Sequence, residues 1–350
     1  MGNSVRNIYS EIDLSALRRN YITLCSMTKN TVAAVVKNNA YNIGLVPVVE
    51  AIQDLCSDFF VATVSEALTI KPYLRGQSVY ILSDNIVKYY DEIVANNFIP
   101  VLNSLADYRY FHGKCEYVLN IDIGMSRLGV NIDDIHEINN NNCMRYLMGH
   151  LSNATTDSRT EYEYNNFMKA VEYIKPSKTS LFASPSFSLS NKYGTDLIRV
   201  GGLMYGLMEN NIVLENILTI KTKIIQIFNI KQGDCVGYDN TYVAAKPMKI
   251  ASVCLGYGFG LHTSMSNRGE FVIRKNGTTY KCPILGLLSM DITMIDVSEV
   301  HDCSLHDEVI ICDKDYSLSE IYKKTQIPQH WLLGCFRFNH INCDLQYIGI

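Results

Sequence analysis

Between residues 31 and 206, short β-branched runs alternate with amphipathic stretches, and that alternation limits the possible folds more than any other feature of the chain. Eight runs read as strands: Thr31 to Lys37, Phe59 to Val64, Ser78 to Leu82, Phe98 to Leu102, Tyr117 to Asp122, Arg145 to Leu151, Thr179 to Ala183 and Asp196 to Val200. Between them, Leu45 to Leu55, Ser65 to Leu74, Val87 to Asn97 and Ser158 to Ile174 read as helices. In the last, Phe167, Ala170, Val171 and Ile174 recur at helical spacing. Serial βα units of this kind predict an α/β chain with a closed (β/α)8 TIM-type barrel over residues 14–210. Its active site would lie at the C-terminal ends of the strands.

After Gly206 the pattern changes. Leu218 to Phe228, Met248 to Leu255, Glu270 to Arg274, Asp291 to Val297 and Glu308 to Cys312 are strand-like, with turn signals at Lys231-Gln232-Gly233-Asp234 and Asn276-Gly277. Residues 211–350 therefore read as a mainly-β C-terminal domain. The opening segment, residues 1–13, contains a strand-like run from Asn7 and is expected to pair with that domain.

At 350 residues and 47% hydrophobic content the chain is long enough for two sizeable cores. A formal net charge of −4 leaves no basic field for nucleic acid or an anionic membrane, so a small-molecule substrate is the expectation. No run reaches the roughly 20 apolar residues of a bilayer span. Arg6 stands where a myristoylation signal wants Ser or Thr, and no apolar stretch follows it. Eleven cysteines without a CxxC pair fit reduced thiols, and the cytoplasm is the expected compartment. His301, Cys303 and His306 lack a fourth ligand at zinc spacing, so no metal is expected.

Lys37 closes the apolar run Val32-Ala33-Ala34-Val35-Val36 and precedes Asn38-Asn39-Ala40-Tyr41-Asn42-Ile43-Gly44. A lysine at a barrel mouth can attach a carbonyl cofactor if burial lowers its pKa from about 10.4. Taken alone, such a lysine is more often a solvated strand end. It does not stand alone. The segment from Ala34 to Tyr41 resembles the cofactor-lysine motif of the alanine racemase family. Further matches follow in the family's order: Ile121-Asp122-Ile123-Gly124-Met125-Ser126-Arg127-Leu128-Gly129, Ile198-Arg199-Val200-Gly201-Gly202-Leu203-Met204-Tyr205-Gly206, Leu255-Gly256-Tyr257-Gly258 and Ser289-Met290-Asp291.

This resemblance implies a fold-type III pyridoxal-phosphate enzyme that interconverts L-alanine and D-alanine, which in bacteria supplies peptidoglycan synthesis. It also implies a homodimer whose sites combine both subunits. Lys37 then corresponds to the cofactor lysine and one base, and Tyr257 of the partner subunit to the other. A base on each face lets a proton leave one side and return on the other. Arg199 corresponds to the arginine facing the pyridine nitrogen. A guanidinium donates but does not release its proton, which weakens the cofactor as an electron sink. Gly201 and Gly202 allow backbone N–H groups to approach a phosphate, with Tyr41 and either Ser186 or Ser184 adding hydroxyls. Arg127 corresponds to the arginine that meets the substrate carboxylate, as does the backbone N–H of Met290 from the other subunit. His150, at the end of the sixth strand, reads equally as a supporting or a purely structural histidine.

Two positions depart from the family. Asn120 stands where many relatives have a lysine, often carbamylated, that orients the carboxylate-binding arginine. We expect its amide oxygen to accept from Arg127 instead. Phe336 stands in place of a tyrosine and removes a hydroxyl. A serine or broader racemase of the same fold is the alternative these changes leave open. A non-catalytic pyridoxal-phosphate-binding protein would lack the β domain with Tyr257 and Met290, and a metal-dependent D-threonine aldolase would need a His/Cys metal pair near the C-terminus.

Overall fold

Each of the eight runs from residue 31 to 200 is a strand, three of them buried along their whole length and the others at all but one position, as strands covered by helices outside and packed side chains inside must be. They lie parallel in the order Leu197–Val200, Thr31–Val35, Asp58–Val61, Ser78–Ile81, Ile99–Leu102, Tyr117–Asp122, Met144–Met148 and Thr179–Ser180. A parallel bridge between Ala183 and Arg199 links the two ends of that order. It is reinforced by Asp196 N–H donating to Thr179 O at 3.0 Å and Arg199 N–H to Phe182 O at 3.1 Å. Several strands end earlier than their apolar runs because the last residues turn out of the sheet. The first stops at Val35, and the seventh gives way to a 3-10 turn, Ser184–Leu189, that contains Pro185.

The computed structural model describes residues 7–140, 142–154, 158–207 and 212–349. The chain divides into two units. One comprises Arg18–Ala40 and Gly44–Leu214, the other Met1–Leu17, Tyr41–Ile43 and Glu215–Ile350. In the barrel unit, Phe60 stacks on Tyr80 with ring centroids 4.4 Å apart, and Phe59, Phe111, Tyr117, Phe167 and Phe182 fill the spaces around the strands.

In the second unit Ile8–Asp13 runs antiparallel to Leu218–Ile230 and parallel to Cys343–Ile348. The opening strand thus pairs with the C-terminal sheet. The five strand-like runs after Gly206 are all strands. At the tip of the hairpin between Glu270–Lys275 and Thr278–Pro283, Asn276 and Gly277 have φ of 52° and 77°. Two consecutive positive φ values are what a two-residue hairpin turn of matching twist requires. The sequence pattern did not single out Thr278–Pro283 or Cys343–Ile348, because both mix exposed polar residues with few buried ones. No described helix is long and apolar enough to cross a membrane.

Candidate active site

The backbone after Lys37 is the most unusual in the molecule. Asn38, Asn39, Ala40, Tyr41 and Asn42 all have positive φ, from 52° to 69°. Asparagine tolerates this region, whereas for residues such as Ala40 and Tyr41 it costs about 1–2 kcal/mol each. Such a run persists only where its surroundings hold it. Ala40 N–H donates to Val36 O at 2.8 Å, and Gly44 N–H to Asn39 O at 3.0 Å. The Asn39 side chain accepts from Leu45 N–H at 2.8 Å, while Asn39 N–H donates to Glu66 Oε1 at 3.0 Å. The turn begins immediately after the half-buried candidate lysine.

Lys37, Arg127, Arg199 and His150 lie close enough to perturb one another. Burial, Arg127 and Arg199 push the Lys37 amine below its ordinary value, with Glu66 acting the other way. His150 falls to about 3 through burial and the positive charge of Arg199, Arg127 and Lys37, so its ring is neutral at physiological pH. Burial and Arg127 bring Arg199 down to about 10, which leaves it cationic. Arg199 is 4% exposed. Its hydrogen bonds run through the two terminal nitrogens: Nη1 donates to Ser180 O and Oγ at 3.1 and 2.5 Å, and Nη2 donates to Gly149 O at 2.8 Å and lies 3.3 Å from His150 Nδ1. Those contacts fix the plane of the guanidinium.

Beside Arg199, Ser184 Oγ accepts from Gly201 N–H at 2.9 Å and from Leu203 N–H at 3.3 Å. One of the two glycine N–H groups is therefore already satisfied within the chain, whereas no described partner accepts from Gly202 N–H. Ser186 is buried and its hydroxyl accepts from Ala183 N–H at 3.0 Å, which ties it to the turn beside Ser184. Tyr41 falls in the second unit by chain contacts.

Arg127 is exposed, and among the described residues it forms no ion pair. Its loop is nevertheless pinned. Asp122 Oδ1 accepts from Gly124 and Ser126 N–H, both at 3.0 Å, and Asn166 Nδ2 donates to Ile123 O at 3.1 Å. Gly129, with φ of 128°, has no room for a Cβ, which would sit 2.4 Å from Asp122 N. Arg159 donates to Gly124 O and, at 2.8 Å, to the fully buried Glu163, whose other oxygen takes Ser152 N–H at 2.8 Å. The loops carrying Arg127 and His150 thus share one ion pair, its carboxylate buried and its guanidinium partly exposed.

Asn120 departs from expectation. Its amide nitrogen donates to Asn103 Oδ1 at 2.9 Å and Leu128 O at 3.1 Å, while its amide oxygen is buried without a partner and takes nothing from Arg127. The reason is the direction of the side chain: both of its bonds hold the base of the loop and leave the exposed guanidinium at the loop's tip.

In the second unit Tyr257 and Met290 are exposed, at 39% and 56%, on two loops locked back to back. Tyr257 N–H donates to Ser289 O at 3.1 Å and Gly258 N–H to Met290 O at 2.7 Å. A Cβ on Gly256 would fall 2.2 Å from Ser289 O, so only glycine permits the approach. Phe336 is 1% exposed and packs its ring against Phe259 and Phe338, with centroids 5.9 and 6.0 Å away. It stands in the aromatic core of its own unit.

Sequence reasoning missed Glu66, Arg159 and Glu163. The signals were present: Thr63-Val64-Ser65-Glu66 is a capping-box pattern, and Arg159 and Glu163 are an i,i+4 pair on a helix.

The comparisons with known proteins follow the same division. Residues 12–209 match the family model described as alanine racemase, N-terminal domain, and residues 217–336 match alanine racemase, C-terminal domain. An alanine racemase of Rickettsia akari is 34% identical over 309 residues, covering 83% of this chain and 85% of the relative. Alanine racemase 3 of Mesorhizobium japonicum is 30% identical over 369 residues, covering 96% and 92%. Among solved structures, alanine racemase from Bartonella henselae with covalently bound pyridoxal phosphate aligns with a TM-score of 0.88 at 25% identity, over 98% of this chain and 99% of that one. Biosynthetic alanine racemase from Pseudomonas aeruginosa aligns with a TM-score of 0.88 at 21% identity, over 99% and 100%.

Proposed function

Because this chain belongs to the alanine racemase family, we propose that it interconverts L-alanine and D-alanine with pyridoxal phosphate, as a cytoplasmic homodimer whose active sites draw on both subunits. The observation that carries this reading is the charge imbalance around Lys37. Burial, and after it the charges of Arg127 and Arg199, lower the Lys37 amine, with Glu66 as opposing anion. A site with that donor set fits a phosphate-bearing cofactor and a substrate carboxylate, each of which relieves the repulsion.

Lys37 would hold the cofactor covalently, Gly202 N–H with Ser186 and Tyr41 nearby in the motif would meet its phosphate, and Arg199 would face its ring nitrogen. When bound, pyridoxal phosphate delocalises the negative charge left at the α-carbon as its proton departs. Lys37, lowered by its surroundings, takes or returns that proton on one face. Tyr257 of the partner subunit does so on the other, which makes the exchange an inversion. Arg127, exposed and free of ion pairs among the described residues, binds the substrate carboxylate together with the N–H of the partner's Met290. His150, neutral and bonded to Arg199, keeps that guanidinium in plane. Arg199 stays protonated and so passes no proton to the ring nitrogen.

A serine or broader racemase is the second reading, favoured by Asn120 turning away from Arg127. Racemisation of a panel of L-amino acids by the purified protein tests both. Catalytic efficiency on alanine above that on serine is expected, by a margin of about 100-fold or less for rejecting one hydroxyl in an apolar pocket. A preference for serine would favour the second reading, and no racemisation of any amino acid would overturn the function.

A further inference from the structure

We propose that Glu66 is the positioning residue for Lys37: its two carboxylate oxygens hold the left-handed turn that follows the lysine. The inference rests on Lys37 being the cofactor lysine. Glu66 opens as a helix-capping residue. Thr63 is the N-cap of Val64–Ile70, and its hydroxyl accepts from Glu66 N–H at 3.2 Å. In the usual capping box the glutamate folds back onto the N–H of the cap residue itself. Here Oε2 takes the N–H of Ala62, one residue earlier, at 2.8 Å, and Oε1 reaches across to Asn39 N–H at 3.0 Å.

One carboxylate therefore clamps the ends of two adjacent barrel strands. Asn39 passes the constraint onward, since its carbonyl accepts from Gly44 N–H and its side chain from Leu45 N–H at the start of the helix Leu45–Ile52. An ionised acceptor makes a stronger bond to a backbone N–H than a neutral one does. That strength is needed at a turn whose residues would otherwise leave positive φ.

The charged and titratable groups acting on Lys37 are Arg127, Arg199 and Glu66, with neutral His150 beside them. The phenol of the buried Tyr205 is committed to Val35 O at 3.0 Å. Burial and the two guanidiniums disfavour a proton on Lys37, and Glu66 favours it. Glu66 thus keeps the amine basic enough to retain a proton between its removal from one face and its return, while the turn keeps the amine in place.

The test compares E66Q and E66D with the parent as full-length purified proteins. E66Q preserves size but offers one acceptor oxygen for two N–H groups and no charge. E66D keeps the charge on a side chain too short to span both. Hydrogen exchange at Asn39 should quicken by about tenfold or more in both variants, as expected for loss of a charge-assisted bond. The pH of half-maximal attachment of pyridoxal phosphate to Lys37, trapped by borohydride and mapped by mass spectrometry, should fall by about half a unit or more in E66Q and by less in E66D. A folded E66Q with Asn39 exchange and attachment pH both unchanged would overturn the proposal. Should E66Q not fold, unchanged Asn39 exchange in E66D would do so. If the parent itself attaches no pyridoxal phosphate at Lys37, the cofactor reading fails instead, and the exchange result shows separately whether Glu66 holds the turn.

Discussion

The two units prepare their candidate residues in opposite ways. The barrel finishes its side alone: Arg199 is buried with its terminal nitrogens bonded, His150 is held neutral against it, and Lys37 sits at the head of a turn clamped by Glu66. The β unit instead displays Tyr257 and Met290 on its surface, on loops locked to each other through Gly256 and Gly258. A tyrosine and a methionine held that firmly yet left exposed have their backbone order supplied by their own unit and their side-chain environment still to come. In the proposed reading, one half of the chemistry is preorganised within a chain, while the other half is presented to a second chain.

Breaking the barrel side should cost the most. In the proposed roles, Lys37→Ala removes both the cofactor attachment and one base, so racemisation should fall by about 10⁴-fold or more, with the visible absorbance of the attached cofactor lost; activity within tenfold of the parent would contradict the role of Lys37. Breaking the display on the β side should cost less. Gly256→Ala forces a Cβ against Ser289 O and separates the two loops, so activity should drop by about 10- to 100-fold while cofactor attachment to the barrel remains. Absorbance and initial rate together check this.

The comparison sharpens further with pH. His150 is held near 3 in the folded chain, against an ordinary value of about 6.5. As pH falls through that window the unfolded chain takes up a proton that the folded chain refuses, so stability drops by up to about 1.4 kcal/mol per pH unit. Denaturant unfolding from pH 7 to pH 4 should show this slope, and His150→Gln should flatten it. The smallest expected effect is none at all: Asn120 cannot be carbamylated, so rates in bicarbonate-free buffer should equal those with bicarbonate added.

The barrel was legible in the sequence because its strands are continuous apolar runs and its crossovers have helical period. Each of the eight barrel strands was found and the two-residue Val130–Asn131 beside Ile121 and Asp122 was not; ends such as Val35 lie two residues short of the predicted end, where the backbone leaves the sheet for reasons the pattern does not carry. In the β unit the apolar strands were found, whereas Thr278–Pro283 and Cys343–Ile348 were missed because their exposed faces dilute the alternation. At the candidate site, motifs named Lys37, Arg127, Arg199 and Tyr257. They did not reveal the left-handed run after Lys37, which needs knowledge of what clamps it, nor the turn of Asn120 toward Asn103. Side-chain direction depends on neighbours brought together from other strands, and a linear motif does not contain them.

The most direct test of a site divided between two chains is complementation. Lys37→Ala and Tyr257→Phe proteins, each nearly inactive, are unfolded together, refolded as a mixture and assayed for alanine racemisation. If each site takes Lys37 from one subunit and Tyr257 from the other, half the dimers are mixed and one of their two sites is intact, so about one quarter of the parent activity per chain should return. Activity that stays at the average of the two separately refolded variants, despite mixed dimers being present, would contradict the shared site.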